Sequence, residues 1–293
     1  MKRYLLTFLI IPMIFVLTAC SPTASTSDTS AALTPSPQER HLILEERRYT
    51  YTGEQNDIAI ANDRLILQSA GTYRISGTLK EGSLVVRVAP DESVRLILAG
   101  VSVQSSYHAP LQIERAACVT LELEKDRVNT FTDAARIKDS QDDFLPVSCI
   151  EAYSPMILKG EGALIVSGRA ACALSCAESL WVHSGQITLS APETGLWIRD
   201  RFHLQDGAIT VTSAQYGMIV SESDDAVGAL EVSGGRLSMV CSEIALSAGK
   251  RIHITAGEGS LRAPVFYRCE KKSNGNIQTG ILRIESSNFP SPQ

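Results

Sequence analysis

A glycine that recurs every 22 to 28 residues, each time between two short alternating strands, constrains this chain more than any other feature. Residues 180–189 run Leu-Trp-Val-His-Ser, then Gly185, then Gln-Ile-Thr-Leu, and the pattern returns around Gly207 in 202–211 and Gly235 in 230–239. Weaker copies lie at 156–166 around Gly162 and at 252–263 around Gly259, so the five glycines are spaced by 23, 22, 28 and 24 residues. Self-similarity at such a period means stacked units, each burying its apolar side against the next. Every period also holds a third apolar segment, such as 196–199 or 218–221. Three strands and three bends per period make one coil of an all-β, right-handed parallel β-helix. Leucine-rich repeats need a leucine and asparagine signature and a helical segment that are missing, and a β-sandwich would not keep one register through five copies.

Inside each segment apolar and polar residues alternate, as in Val119-Thr120-Leu121-Glu122-Leu123-Glu124, which predicts strands with one buried face and no amphipathic helix. Leu180 and Val182 then point inward and Trp181 and His183 outward; Trp197 and His203 face outward by the same reasoning. Ile157, Trp181 and His203 would form a lateral strip on one sheet face, and an outward tryptophan offers a flat apolar surface on which a sugar ring stacks. The alternative is that a bend, the linker or a second subunit covers them. Cys118, Cys172, Cys176 and Met239 are expected as fillers among Leu, Ile and Val, with Cys172 and Cys176 as core thiols rather than a disulfide. Residues 124–145 break the alternation with mixed charges and read as a long loop or lateral excursion.

The amino terminus follows different rules. Lys2 and Arg3 precede an uncharged run over 4–19, and Leu17-Thr18-Ala19-Cys20 closes it, the layout of a secretory signal peptide ending in a sequence that resembles a bacterial lipobox. Residues 1–19 are therefore expected to be the signal peptide. Cys20 is the expected lipidation site, holding the protein on the extracytoplasmic face of the cell membrane. Fifteen of the eighteen residues from 21 to 38 are Ser, Thr, Ala or Pro, too little apolar surface to repay ordering, so 20–47 is read as lipidated cysteine and leash. The β-helix domain is expected over 48–286, with 287–293 as a tail. A net charge of -5 leaves no basic footprint for nucleic acid, and six cysteines after Cys20 without a C-x-x-C pair argue against zinc ribbons and redox centres.

The segments 70–79, 82–88, 94–103, 109–113, 119–123 and 129–133, followed by the repeats, resemble the calcium-associated, carbohydrate-binding β-helix proteins of bacteria, related in fold to pectate lyases. The resemblance runs from about residue 57 to 260. It implies a monomeric surface protein that binds an acidic or cellulosic polysaccharide without cleaving it, with calcium held at the bends. The family's bends commonly carry Asp-Gly and an Asp before the next strand. Here they read Cys172-Ala173-Leu174, Thr194-Gly195-Leu196 and Tyr216-Gly217-Met218.

Aligning coils by their glycines puts Glu178, Asp200 and Glu222 at one bend of successive coils, with Asp224 and Asp225 following in an insertion. Coils about 4.8 Å apart would hold these carboxylates in a repelling column unless a cation sits between them, and an all-oxygen set suits calcium. The alternative is that all five fan into solvent. Two further readings compete with non-catalytic polymer binding. One is a calcium-dependent polysaccharide lyase using Asp200 with Arg199 or Arg201 as base; the other is a structural or adhesion module with a protein partner.

Overall fold

The computed structural model describes residues 39–135, 145–213, 215–222, 227–269 and 278–279. In it the alternating segments wind into a right-handed parallel β-helix with three faces, the hand that right-twisted parallel strands impose on their connections. One coil consists of Leu180–Val182, Gln186–Ala191 and Thr194–Ile198; the next of Arg201–Leu204, Ala208–Ser213 and Tyr216–Val220. Each strand pairs in parallel only with its counterparts one coil away, so Trp181 sits beside His203, Thr188 beside Thr210 and Trp197 beside Ile219. Gly71–Lys80 and Ser93–Ser105 run through the first bend without a break, which joins the first two faces into one 17-stranded sheet; the third face is a separate 10-stranded sheet. Inward residues stack into a single axial core, with Tyr73, Phe131 and Phe202 the largest fully buried side chains.

Register corrects one alignment. Arg236 pairs with Glu258 and Leu237 with Gly259, so Gly257 takes the bend position of Gly235 and the last interval is 22 residues. Gly257 has φ +123°, whereas Gly259 lies within a strand, where a Cβ would come 1.7 Å from the Leu237 carbonyl oxygen.

The strands of the β-helix also begin before residue 48. Arg40–Glu46 is a strand, parallel to Gly71–Lys80 and antiparallel to Arg48–Tyr51. Leu42 and Leu44 drive it into the core while His41, Ile43 and Glu45 face out, a signal that the polar composition of the segment hides. Ile58–Ala61 and Arg64–Leu67 likewise pair antiparallel on the third face. These reversals cap the amino-terminal end of the stack, where a parallel edge would otherwise invite further chains.

The stretch 124–145 is not a loop throughout: Val128–Asp133 is a regular strand of the second face, between Ser93–Ser105 and Ala163–Ser167. Its alternation is masked because Asn129 is buried at the bend, where Oδ1 accepts from the Gly100 and Val101 amides and Nδ2 donates to the Ala163 carbonyl. Residues 136–144 lie outside the described residues, as do the signal segment, Cys20, most of the leash and the tail after 286.

Cys172, Cys176 and Met239 are buried as expected, but Cys118, at the start of its strand, is only half-buried. Burial pushes the thiols of Cys172 and Cys176 up to about 12, so both stay protonated and inert at neutral pH. The six cysteines of the described residues are free thiols.

Candidate functional site

The outward side of the first face carries a column set by register: Arg95, Thr120, Ile157, Trp181, His203, Glu231 and His253 on successive coils. The predicted strip of Ile157, Trp181 and His203 is therefore contiguous, each side chain one coil spacing, about 4.8 Å, from the next. Trp181 and His203 are half-buried between their neighbours. The inward partners Leu180, Val182, Phe202 and Leu204 are fully buried and fix the backbone beneath them. His203 Nε2 lies 2.9 Å from the Ser233 hydroxyl, which orients the ring. His183, two residues beyond Trp181, is held below the usual histidine range by burial, and by the charges of His203 and Lys159.

Ion pairs flank the strip on either side. Toward the amino terminus Arg95 makes a bidentate pair with Glu122, at 2.9 and 2.7 Å, and Lys159 reaches the same carboxylate at 3.0 Å. Toward the carboxyl terminus Arg251 pairs with Glu231. Between these pairs Ile157, Trp181 and His203 carry no fixed charge, while Arg201, two residues before His203, shares the outward side of its strand.

Beside the strip runs a shallow trough of about 630 Å³ whose floor is glycine. Gly207 has φ +92° and Gly235 φ +75°, and a Cβ on either would come within 2.6 or 2.7 Å of the preceding bend's carbonyl oxygen. The recurrent glycine is thus required by close stacking of bends, and it leaves the trough open. Its walls carry Gln186, Asp206 and the ion pair Arg236–Glu258 at 3.0 Å. The trough follows the coil axis, which the sequence did not reveal because it is built from missing side chains.

Trp197 does not join this set. It lies on the third face, in a column with Gln112, Glu151, Ser175, Ile219 and Ser247. The two tryptophans face different directions and form two separate surfaces.

Glu178 and Asp200 do stack, and the Asp200 charge, together with burial as the larger cause, raises the Glu178 carboxyl. Asp200, however, is engaged by its own fold: Oδ2 accepts from the Ser179 hydroxyl at 2.5 Å and Oδ1 from the Val227 amide at 2.8 Å. Asp224 and Asp225 lie outside the described residues. Among the described residues no three His, Cys, Asp or Glu side chains converge to hold a metal ion. Calcium takes six to eight oxygens, so the described part of the column does not by itself fit the ion.

A family described as carbohydrate-binding domain-containing proteins matches residues 61–284. A carbohydrate-binding domain-containing protein of Acetivibrio thermocellus is 28% identical over 136 residues, 46% of this chain and 47% of its own length, so the chain spans about half of the curated relative it matches. Among solved structures, the polysaccharide lyase-like protein from C. thermocellum, as a gadolinium derivative, has a TM-score of 0.74 and 22% identity, over 85% of this chain and 97% of that one. The likeness to that structure is one of fold.

Proposed function

The chain belongs to the family of carbohydrate-binding domain-containing proteins, and from that premise we propose that it holds a polysaccharide on its first face without cleaving it. The observation that carries this reading is the contiguous, uncharged strip of Ile157, Trp181 and His203 between two sets of ion pairs. An uncharged strip captures a polymer by ring stacking and hydroxyl contacts, which suits a neutral, cellulosic chain. A pyranose ring is about as long as one coil spacing, so successive sugars would follow the column and trough along the coil axis. The role of Asp200 in holding Ser179 and Val227 supports a non-catalytic reading over a lyase built on Asp200 with Arg199 or Arg201. Cys20 would carry the lipid that keeps this monomeric domain on the extracytoplasmic face of the cell membrane.

The test is retention on insoluble cellulose and on pectate. Trp181→Ala should weaken cellulose retention by about tenfold, about 1.4 kcal/mol, and Trp197→Ala should leave it unchanged. Equal losses in the two variants, or retention on pectate alone, would refute the assignment to this face. Absorbance from an unsaturated sugar product would make the protein a lyase.

A further inference from the structure

A second hollow lies at the amino-terminal end of the stack, about 450 Å³ in volume, built where the hairpin loop at Arg47 and the bends at 60–65, 79–82 and 106–107 meet. Three large side chains on its walls are open to water that a core-forming chain would hide: Tyr107 is 79% exposed, Ile60 61% and Tyr49 36%. Four cationic side chains line the same hollow, and two of them are already engaged. Arg64 is held by Glu114 and Gln112, and Lys80 by Glu46. Arg47 and Arg48 are exposed and enter no ion pair among the described residues. Two carboxylates, Asp63 and Glu81, also line the hollow, and that of Glu81 is occupied by the hydroxyl and amide of Ser106.

We propose that this end of the β-helix docks onto an anionic phospholipid surface, with Arg47 and Arg48 on the headgroup phosphates and Tyr49, Ile60 and Tyr107 at the interfacial layer. Arginine and tyrosine side by side with an exposed isoleucine is the chemistry of a membrane interface, where amphipathic rings and cations sit at headgroup level. Chain geometry favours this occupant over a soluble one. The strand Arg40–Glu46, which leads into Arg47, follows directly on the segment 21–38. Even fully extended, those 18 residues span at most about 60 Å, so an anchor at Cys20 would keep the domain, and with it this end, within reach of the bilayer. The inference rests on reading Cys20 as the anchor for its location, and is independent of which polymer the first face holds.

The experiment uses the chain from residue 20 onward with Cys20→Ser, so that no lipid contributes, sedimented with vesicles of phosphatidylcholine alone or mixed with phosphatidylglycerol. Each basic residue near such a surface is worth roughly fivefold, so the double variant R47Q/R48Q should lose about twenty-five-fold of its partition into the anionic vesicles. High salt should abolish the same binding, and I60S/Y107S should weaken it. Trp181→Ala, on the other surface, should bind vesicles like its parent while losing cellulose, which separates failure of this inference from failure of the polymer reading. Equal partition into neutral and anionic vesicles, or an R47Q/R48Q variant that binds like its parent, overturns the proposal. So does loss of cellulose retention in R47Q/R48Q with no vesicle binding by the parent, which would give the hollow to a sugar.

Discussion

Replacing Asp200 by alanine separates a carboxylate that holds the coils together from one that holds an ion. The side chain accepts two hydrogen bonds, from the Ser179 hydroxyl at 2.5 Å and the Val227 amide at 2.8 Å, and so ties one coil to the one before it and to the chain returning from the insertion. Hydrogen bonds to a charged group contribute about 1.5–3 kcal/mol each, and a half-buried site lies at the low end of that range. Removing the charge also relieves Glu178, whose carboxyl burial and the neighbouring Asp200 hold above its usual range. The net cost should be about 2 kcal/mol, a fall in melting temperature of roughly 4–8 °C for a domain of this size. The assay is thermal unfolding of wild type and Asp200→Ala, each in a chelator and in millimolar calcium. A structural carboxylate predicts the same loss in both media and no calcium effect on wild type. An ion site saturated to about 100 times its dissociation constant would add about 2.7 kcal/mol to wild type alone. If calcium raises the wild-type melting temperature and Asp200→Ala costs nothing in chelator, the structural assignment is wrong.

Three other outcomes follow from the geometry. Phe202→Ala opens a fully buried position in the core beneath His203 and should cost about 3–5 kcal/mol by urea unfolding; a loss below about 1 kcal/mol would mean that the core collapses around the gap. Gly207→Ala forces a side chain into φ +92° and against the Gly185 carbonyl, and should cost at least about 2 kcal/mol, whereas the open-strand control Thr210→Ala should cost far less. The folded state depresses the His183 pKa, through burial first. The unfolded chain therefore binds the extra proton first, and stability should fall as pH drops below the ordinary histidine value of about 6.5. His183→Gln should flatten that slope in melts between about pH 7 and 5, and an unchanged slope would show that another group carries it.

Much of the fold was legible because its causes are local. Alternation with period two assigns each side chain inward or outward, and Leu180, Val182 and Phe202 are buried while Trp181, His183 and His203 face out, as the pattern requires. A coil length near 22 residues, marked by glycine at the bend, then fixes which residues become neighbours, so the Ile157, Trp181 and His203 strip follows by counting. Counting fails where two glycines stand two residues apart, as at Gly257 and Gly259, because only backbone conformation tells a bend from a strand. It fails at Asn129 too, where a polar residue is buried and satisfied by amides 28 and 29 residues away.

The sequence by itself determined that the chain must coil, which side chains each strand offers to solvent, and the column to which Trp181 belongs. Only the tertiary structure decided that Trp197 faces another way, that Asp200 spends its oxygens on Ser179 and Val227, and that Arg47, Arg48, Tyr49, Ile60 and Tyr107 line one hollow. The physical reason is the range of the forces involved. Alternation and bend conformation are written over a few consecutive residues, whereas the direction of a face, the partner of a carboxylate and the walls of a hollow depend on groups brought together from tens of residues apart by the closing of each coil.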